Sequence, residues 1–122
     1  MSGINAIFST GLSGLTSGSI LLANSANNIA NLNSQGFKSA RVNLQETPDK
    51  QGVQVGSVTK DQSPGGVDEN GDEQSNVDLP REIVQLRLGS MLYNANAQVV
   101  NIGLAMLGTL LDVVHRNPKP SR

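Results

Sequence analysis

Apolar and small residues recur near both ends of the chain at alternating steps of three and four, the spacing that places side chains on one face of a helix. The first series covers residues 4–29 and ends before Gly36, a residue type that readily takes the left-handed conformation found after helices. The second covers residues 84–113, about eight helical turns, and follows Asp78 and Pro80, which suit a helix start. The pattern therefore predicts two long helices.

The apolar members of the two series are predicted to form a seam, along which the helices pack against each other and against neighbouring subunits. Gly11 and Gly18 are members of the first series and Gly14 lies between them, and glycine at such positions permits the close approach of a second helix. The seam residues are Ile4, Phe8, Leu15, Leu22, Ile29, Val84, Leu88, Met91, Ala95, Val99, Ile102, Met106, Leu110 and Val113.

The middle of the chain alternates in hydrophobicity only over residues 42–46 and 52–60, and Asn70-Gly71 is a dipeptide typical of tight turns. These signals predict an extended arm that can contain one short β-hairpin. The predicted fold class is mainly α, with paired, coiled-coil-like terminal helices joined by the arm. The expected segments are an N-terminal helix over 1–37, the arm over 38–76, a C-terminal helix over 77–116 and a flexible basic tail over 117–122.

Most charged residues lie in the middle or the tail: none occurs before Lys38, and none occurs between Leu88 and Leu111. A helix in water normally has a charged face, so both helices are expected to be covered on most sides. A chain of 122 residues with 13 glycines and no tryptophan cannot supply that cover alone. Because the net charge is −1, without a basic stripe, nucleic acid is not an expected partner.

The uncharged ends raise two alternatives, a cleaved signal peptide and a membrane span. No basic region precedes residue 20 and glycines interrupt the apolar run, so a cleaved signal peptide is not expected. Residues 88–111 are long enough to span a bilayer, but four amides within this stretch would be costly in lipid, which leaves the membrane span as the weaker alternative. Those amides are Asn94, Asn96, Gln98 and Asn101.

Candidate chemical sites are few. Residues 68–72 place oxygen ligands as a calcium loop does, but Glu73 and Leu79 stand where such a loop needs glycine and glutamate, which favours a solvated turn. His115 is the only histidine, and it suits a helix C-terminus better than catalysis. Cysteine is absent from the sequence, and the serines lack a recognisable base. No enzyme activity, metal, cofactor or small-molecule substrate is therefore expected.

Carboxamides follow both predicted seams at helical spacing. A carboxamide both donates and accepts hydrogen bonds, so it can satisfy a partner without bringing a charge into an interface. The simpler alternative is a water-facing polar side, which leaves the absence of Lys and Glu unexplained. The carboxamides are Asn24, Asn27, Asn28 and Asn31 on the first helix and Asn94, Gln98 and Asn101 on the second.

Residues 25–38, which read SANNIANLNSQGFK, resemble the N-terminal signature of bacterial flagellar rod and hook proteins. Residues 75–79, 82–84, 93–96 and 106–111 are similar to the terminal helix of the same family, and together with residues 25–38 the matches lie at both ends of the chain in the order that the family has. The family usually has a Gln-Arg-Ala/Ser run before the tyrosine, where this chain has Ser-Met-Leu, and Arg87 stands at a generally apolar position, so the helix contact there can differ. The motif residues are Asn27, Asn28, Ile29, Ala30, Asn31, Gly36, Phe37, Tyr93 and Asn96.

The resemblance implies a structural subunit of the flagellar basal-body rod, with N- and C-terminal axial helices that pair as a coiled coil and stack into a driveshaft crossing the periplasm. It implies self-assembly for motility, with other flagellar rod proteins, copies of the chain itself and the flagellar export apparatus as partners. It also implies type III export without a cleaved signal peptide. The short arm is similar to that of proximal-rod proteins. The alternative function is a helical adaptor or binding protein of the type III export system.

Overall fold

The computed structural model describes residues 2–116, which form two long helices and one small sheet. In chain order the elements are helix α1 (Ser2–Ala30), strands β1 (Ala40–Glu46) and β2 (Val53–Lys60), and helix α2 (Leu79–Arg116). Helix makes up 58% of the structure, so the predicted mainly α class is confirmed. The predicted basic tail, residues 117–122, lies outside the described residues.

The first helix ends at Ala30, seven residues before the predicted boundary at residue 37. The amides that follow it bond three residues back instead of four, as that of Leu32 does when it donates to the Ile29 carbonyl at 3.0 Å. This tighter geometry closes the helix. Gly36 then adopts φ of +68°, the left-handed conformation predicted for it.

The second helix begins directly after Asp78, as the sequence predicts. The Asp78 carbonyl accepts the Glu82 amide at 3.0 Å, and its Oδ1 accepts the Arg81 amide at 3.5 Å. Asp78 therefore caps α2 and satisfies donors that the first turn cannot satisfy itself. The helix continues to Arg116, close to the predicted end.

The two helices run antiparallel and approach closely where each has glycine. Gly89 of α2 lies against Leu21, whereas Gly103, farther along α2, lies against Phe8. A Cβ atom at Gly18 would lie 2.9 Å from a backbone nitrogen of α2, closer than van der Waals contact allows. The close approach predicted for the glycines of α1 is therefore confirmed.

Strands β1 and β2 form an antiparallel pair, so the short hairpin that the sequence allowed is present. Ala40 pairs with Lys60 at the open end, and Glu46 pairs with Val53 at the turn. The register shifts by one residue at Gly56, which bulges from β2. Both strands pack on α1 and neither packs on α2, so α1 lies between the hairpin and α2.

The segment after β2 is fastened to the turn after α1 and differs from the extended arm predicted for it. The Asn76 side chain accepts the Ser39 amide at 2.7 Å and donates to the Asp61 carbonyl at 2.8 Å. The Gly36 amide donates to the Glu73 carbonyl at 2.9 Å. These contacts between residues 36–39 and 61–76 are called the clasp below.

The interior is made mainly of small and polar residues. Among the described residues, Leu21 is the one buried apolar side chain, whereas Ser17, Ser25 and Asn28 are each at most 1% exposed. The fold therefore depends on hydrogen bonds and close backbone contact more than on apolar burial. Most of the large apolar residues of α2 are exposed at the surface.

Candidate assembly surface

One stripe of α2 is apolar and exposed along the length of the helix. Met91 and Ile102 are 67% and 58% exposed, although both are large apolar residues. Soluble monomers rarely expose so long an apolar surface, and such surfaces mark contacts with protein or lipid. The exposed residues that define this apolar stripe are Val84, Leu88, Met91, Ala95, Ile102, Met106, Leu110 and Val113.

The contact of α2 with α1 uses a different stripe from the one predicted. The predicted seam residues of α1 are all half-buried, whereas those of α2 are exposed except for the half-buried Val99. Toward α1 the second helix presents Glu82, Gly89, Asn96 and Gly103, which are spaced by seven. The reason is that the smallest side chains, and not the most apolar ones, permit the closest approach. Apart from Val99, which lies against Gly11, the α2 series therefore contributes little to the contact between the helices, and it stays a prediction as a seam between subunits.

The apolar stripe has one charged neighbour near its start. Arg87 lies one helical turn from Val84 and Met91, its side chain is exposed, and it forms no salt bridge with any residue in 2–116. The next charge is Asp112, which pairs with Arg116 at 3.2 Å. That pair is exposed and contributes little to stability.

Two carboxamides of the first predicted stripe hold the hairpin on α1. Asn28 is fully buried, its Nδ2 donates to the Ala40 carbonyl at 2.8 Å, and its Oδ1 accepts the Ala40 amide at 3.0 Å. Asn24 donates to the same carbonyl at 2.9 Å. These uncharged side chains form hydrogen bonds with the backbone groups at the start of β1, which is the chemistry that the sequence predicted for them.

The second predicted stripe of carboxamides stays at the surface. Asn94, Gln98 and Asn101 are all exposed, and they lie beside the apolar stripe on the side of α2 that faces away from α1. Their predicted role in an interface between subunits stays a prediction.

The flagellar-like motif residues after α1 shape a turn. The Asn31 side chain donates to the Asn27 carbonyl at 2.9 Å and accepts the Ser34 hydroxyl at the same distance. The Phe37 carbonyl accepts the Asn76 amide at 3.1 Å. This part of the motif therefore connects α1 to the clasp.

The motif residues in α2 lie at the contact with α1. The Asn96 side chain covers Gly14 so closely that a Cβ atom there has no room, and its Nδ2 donates to the Leu92 carbonyl at 2.7 Å. The backbone of Tyr93 lies against Gly18, while the Tyr93 ring is partly exposed. Both residues therefore fix how the helices pair within one chain.

Two carboxylates of the clasp ionise more readily than usual. The Lys38 ammonium bonds to the Glu73 carboxylate, and with a backbone amide it lowers the pKa of Glu73. Ser63 donates its hydroxyl and its amide to Asp61 at 2.6 and 2.9 Å and, with Arg41 also contributing, lowers the pKa of Asp61 to about 2. Ionised Glu73 therefore contributes an ionic contact to the clasp, whereas ionised Asp61 binds Arg41 of β1 at the start of the same segment.

The acidic loop considered as a calcium site is a turn held by its own hydrogen bonds. Asp68 Oδ1 accepts the amides of Asn70 and Asp72, both at 2.9 Å, and Gly71 has φ of +85°. Within residues 2–116 there is no group of three or more His, Cys, Asp or Glu side chains that could hold a metal ion. His115 is exposed in the last turn of α2.

Glu82 is a buried carboxylate in the first turn of α2. It is 5% exposed, and its Oε2 has no hydrogen-bond partner among the described residues. It lines a cleft of about 160 Å³ between the start of α2, α1 and β1, with Asn24, Arg41, Arg81 and Gln85 around it. The signal that could have revealed it is the seven-residue spacing of small and polar residues in α2.

Comparison with known proteins assigns no family, because no protein-family model and no curated protein matches the chain. Both helices are long and apolar enough to cross a membrane by length and composition alone. The most apolar window of α2 is 6% buried, against 28% for that of α1. The apolar stripe therefore needs a cover, of protein or of lipid, that residues 2–116 do not provide.

Proposed function

We propose that this protein is a non-catalytic structural subunit that assembles by burying the apolar stripe of α2 against other subunits. The observation that carries the proposal is that Leu88, Met91, Ile102 and Met106 stay exposed on a helix without charge over residues 88–111. Full burial of one such side chain contributes about 1.5–3 kcal/mol. Covering the whole stripe is therefore a strong driving force for association.

Within this proposal the assembly is the rod of the bacterial flagellar basal body. The resemblance over residues 25–38, 75–79, 82–84 and 93–96 supports it, since those residues build the turn after α1 and part of the helix pair. α1 and α2 pair as a coiled coil and stack with other rod proteins and with copies of the chain into a driveshaft for motility. The subunit reaches the periplasm through the type III export apparatus without a cleaved signal peptide, and it needs no cofactor, nucleic acid or small molecule.

The second candidate is a helical adaptor or binding protein of the same export system. It is favoured by the single long apolar stripe, because one amphipathic partner helix could cover it. A rod subunit associates without a fixed limit, whereas an adaptor forms a complex of fixed stoichiometry. A membrane span fits less well, because Asn94, Gln98 and Asn101 lie beside the stripe and would face lipid.

The proposal predicts that Met91→Asp and Ile102→Asp each weaken self-association by tenfold or more, since each places an unpaired charge in the buried stripe, at a cost of about 1.4 kcal/mol or more. Sedimentation velocity over a range of protein concentrations measures this. Val67→Asp is the matched control, because Val67 is 69% exposed but lies off the stripe. Equal association of all three variants would contradict the proposal.

Two further measurements separate the candidate functions. A fixed, small oligomer at every concentration would favour the adaptor, and flotation of the protein with liposomes in place of self-association would favour lipid as the cover. In a flagellated host, a tagged copy should co-purify with isolated basal bodies, and Ile102→Asp should remove it from them. Absence of the wild-type chain from basal bodies would exclude the rod.

A further inference from the structure

The Glu82 carboxylate is buried, and one of its oxygens has no hydrogen-bond partner among the described residues. Removing a carboxylate from water is costly unless its oxygens are paired, and Oε2 is not. Two cations line the same cleft, but Arg41 bonds to Asp61, Arg81 is exposed, and neither bonds to Glu82. A cation that entered the cleft would therefore be stabilised by the Glu82 carboxylate.

The shape and chemistry of the cleft limit what can meet that need. Its volume of about 160 Å³ holds a few water molecules or the head of one long side chain. Glu82 is the one carboxylate in the lining, which is too few for a metal site, and the Asn24 amide nitrogen is already bonded to a backbone carbonyl. A single guanidinium on a flexible stem can enter such a cleft from outside and pair with the one carboxylate that lines it.

Arg87 is the complementary group. It borders the apolar stripe between Val84 and Met91, so burying the stripe carries its guanidinium into an interface, where a cation without a partner is costly. It cannot serve the Glu82 of its own chain, because residues five apart on a helix point about 140° away from each other. The partner must come from another molecule.

We propose that the Glu82 cleft of one copy of this chain receives the Arg87 guanidinium of a second copy. This inference rests on the proposed function, because it assumes that the apolar stripe is buried between subunits. The donor and the acceptor lie on different faces of α2, so the contact is head-to-tail, and a pair of copies keeps one free cleft at one end and one free arginine at the other. Such contacts propagate into rings or open helical assemblies.

A double-mutant cycle tests the pair. Glu82→Gln and Arg87→Gln should each lower the association constant about tenfold or more, and the double variant should lose no more than the worse single one. Circular dichroism verifies that each variant keeps its helices, and Arg81→Gln, beside the cleft, is the matched control. If the losses add, or if Glu82→Gln associates as well as wild type, the pair does not form.

Cross-linking gives a second, independent test. In Arg87→Lys chains, a carbodiimide should join the introduced amine to the Glu82 carboxylate as an amide, found by mass spectrometry between isotope-labelled and unlabelled chains. The same reagent should give no such link when Glu82→Gln is added. Association that is intact and stripe-dependent without this link overturns the inference and leaves the proposed function standing, whereas a wild-type chain that never associates overturns both.

Discussion

Asn28 fastens β1 to α1 through both polar atoms of its side chain, and the clasp uses Asn76 in the same way. These amides take the place that apolar side chains hold in larger domains, because Asn28 is buried, Asn76 is half-buried, and both the oxygen and the nitrogen of each side chain are hydrogen-bonded. The sequence predicted that asparagine satisfies backbone groups in a contact. The sequence did not predict that this contact lies within one chain, because the spacing of residues along a helix does not show which strand packs against that helix.

Asn28→Ala should lower the free energy of unfolding by about 2 kcal/mol, because it removes the acceptor of the half-buried Ala40 amide and one of the two side-chain donors to the Ala40 carbonyl. Chemical denaturation measures the change. Asn27→Ala, an exposed neighbour whose side chain bonds to no described residue, should stay within about 0.5 kcal/mol of wild type. Equal effects of the two changes would show that Asn28 does not hold the hairpin.

The clasp should open in acid. The pKa values of Glu73 and Asp61 are lowered in the folded chain, so their contribution to stability is complete above their usual values near 4.5 and 3.8. It is lost as the pH falls through the folded values, to about 2 for Asp61. Amide NMR shifts of residues 36–39 should therefore change over this range before the helices melt.

Glu73→Gln supplies the control for that titration. It removes the ionic bond to Lys38, so the shifts of residues 36–39 should already be displaced at neutral pH and should move less on acidification. Glu69→Gln, an exposed change in the same segment, should titrate as wild type does. A clasp that is unaffected in Glu73→Gln would mean that the Asn76 bonds hold it alone.

The helices and the hairpin were predictable as elements, but the face that α2 turns to α1 was not. Counting apolar residues at helical spacing finds the stripe that has most to gain from burial. The contact within the chain is set instead by Gly89, Asn96 and Gly103, where the missing or flat side chains let two backbones meet. The apolar face of α2 and the face that contacts α1 are therefore different faces, because the chain buries so little apolar surface itself.

Gly18→Ala should be destabilising although alanine is the better helix former. Its Cβ atom would meet backbone atoms of α2 at 2.9 and 3.0 Å, and forcing the helices apart costs about 1–3 kcal/mol. Gly108→Ala is the matched control, because nothing lies within 4 Å of a Cβ atom there, and it should stabilise by up to about 1 kcal/mol. Thermal melts of both variants measure these changes. A stabilised Gly18→Ala would mean that the helices are farther apart at Gly18 than the structure shows.

At the scale of the whole molecule, protection against hydrogen exchange should be uneven. Residues 14–28 lie between two other elements, whereas residues 108–116 are exposed on every side of their helix. We expect the amides of 108–116 to exchange first in the monomer and to become protected on assembly. Mass spectrometry of the free and assembled chain measures both states, and strong protection of 108–116 in the free chain would contradict the proposed cover.

The exposed apolar stripe also determines which step, folding or association, has the larger change in heat capacity. Hydration of apolar surface carries a large heat capacity, so a chain that folds without covering its stripe should unfold with a small change in heat capacity. The large change belongs to association instead. Because apolar burial weakens on cooling, the proposed assembly should be cold-labile: it should come apart near 0 °C into monomers that are still folded, and it should re-form on warming.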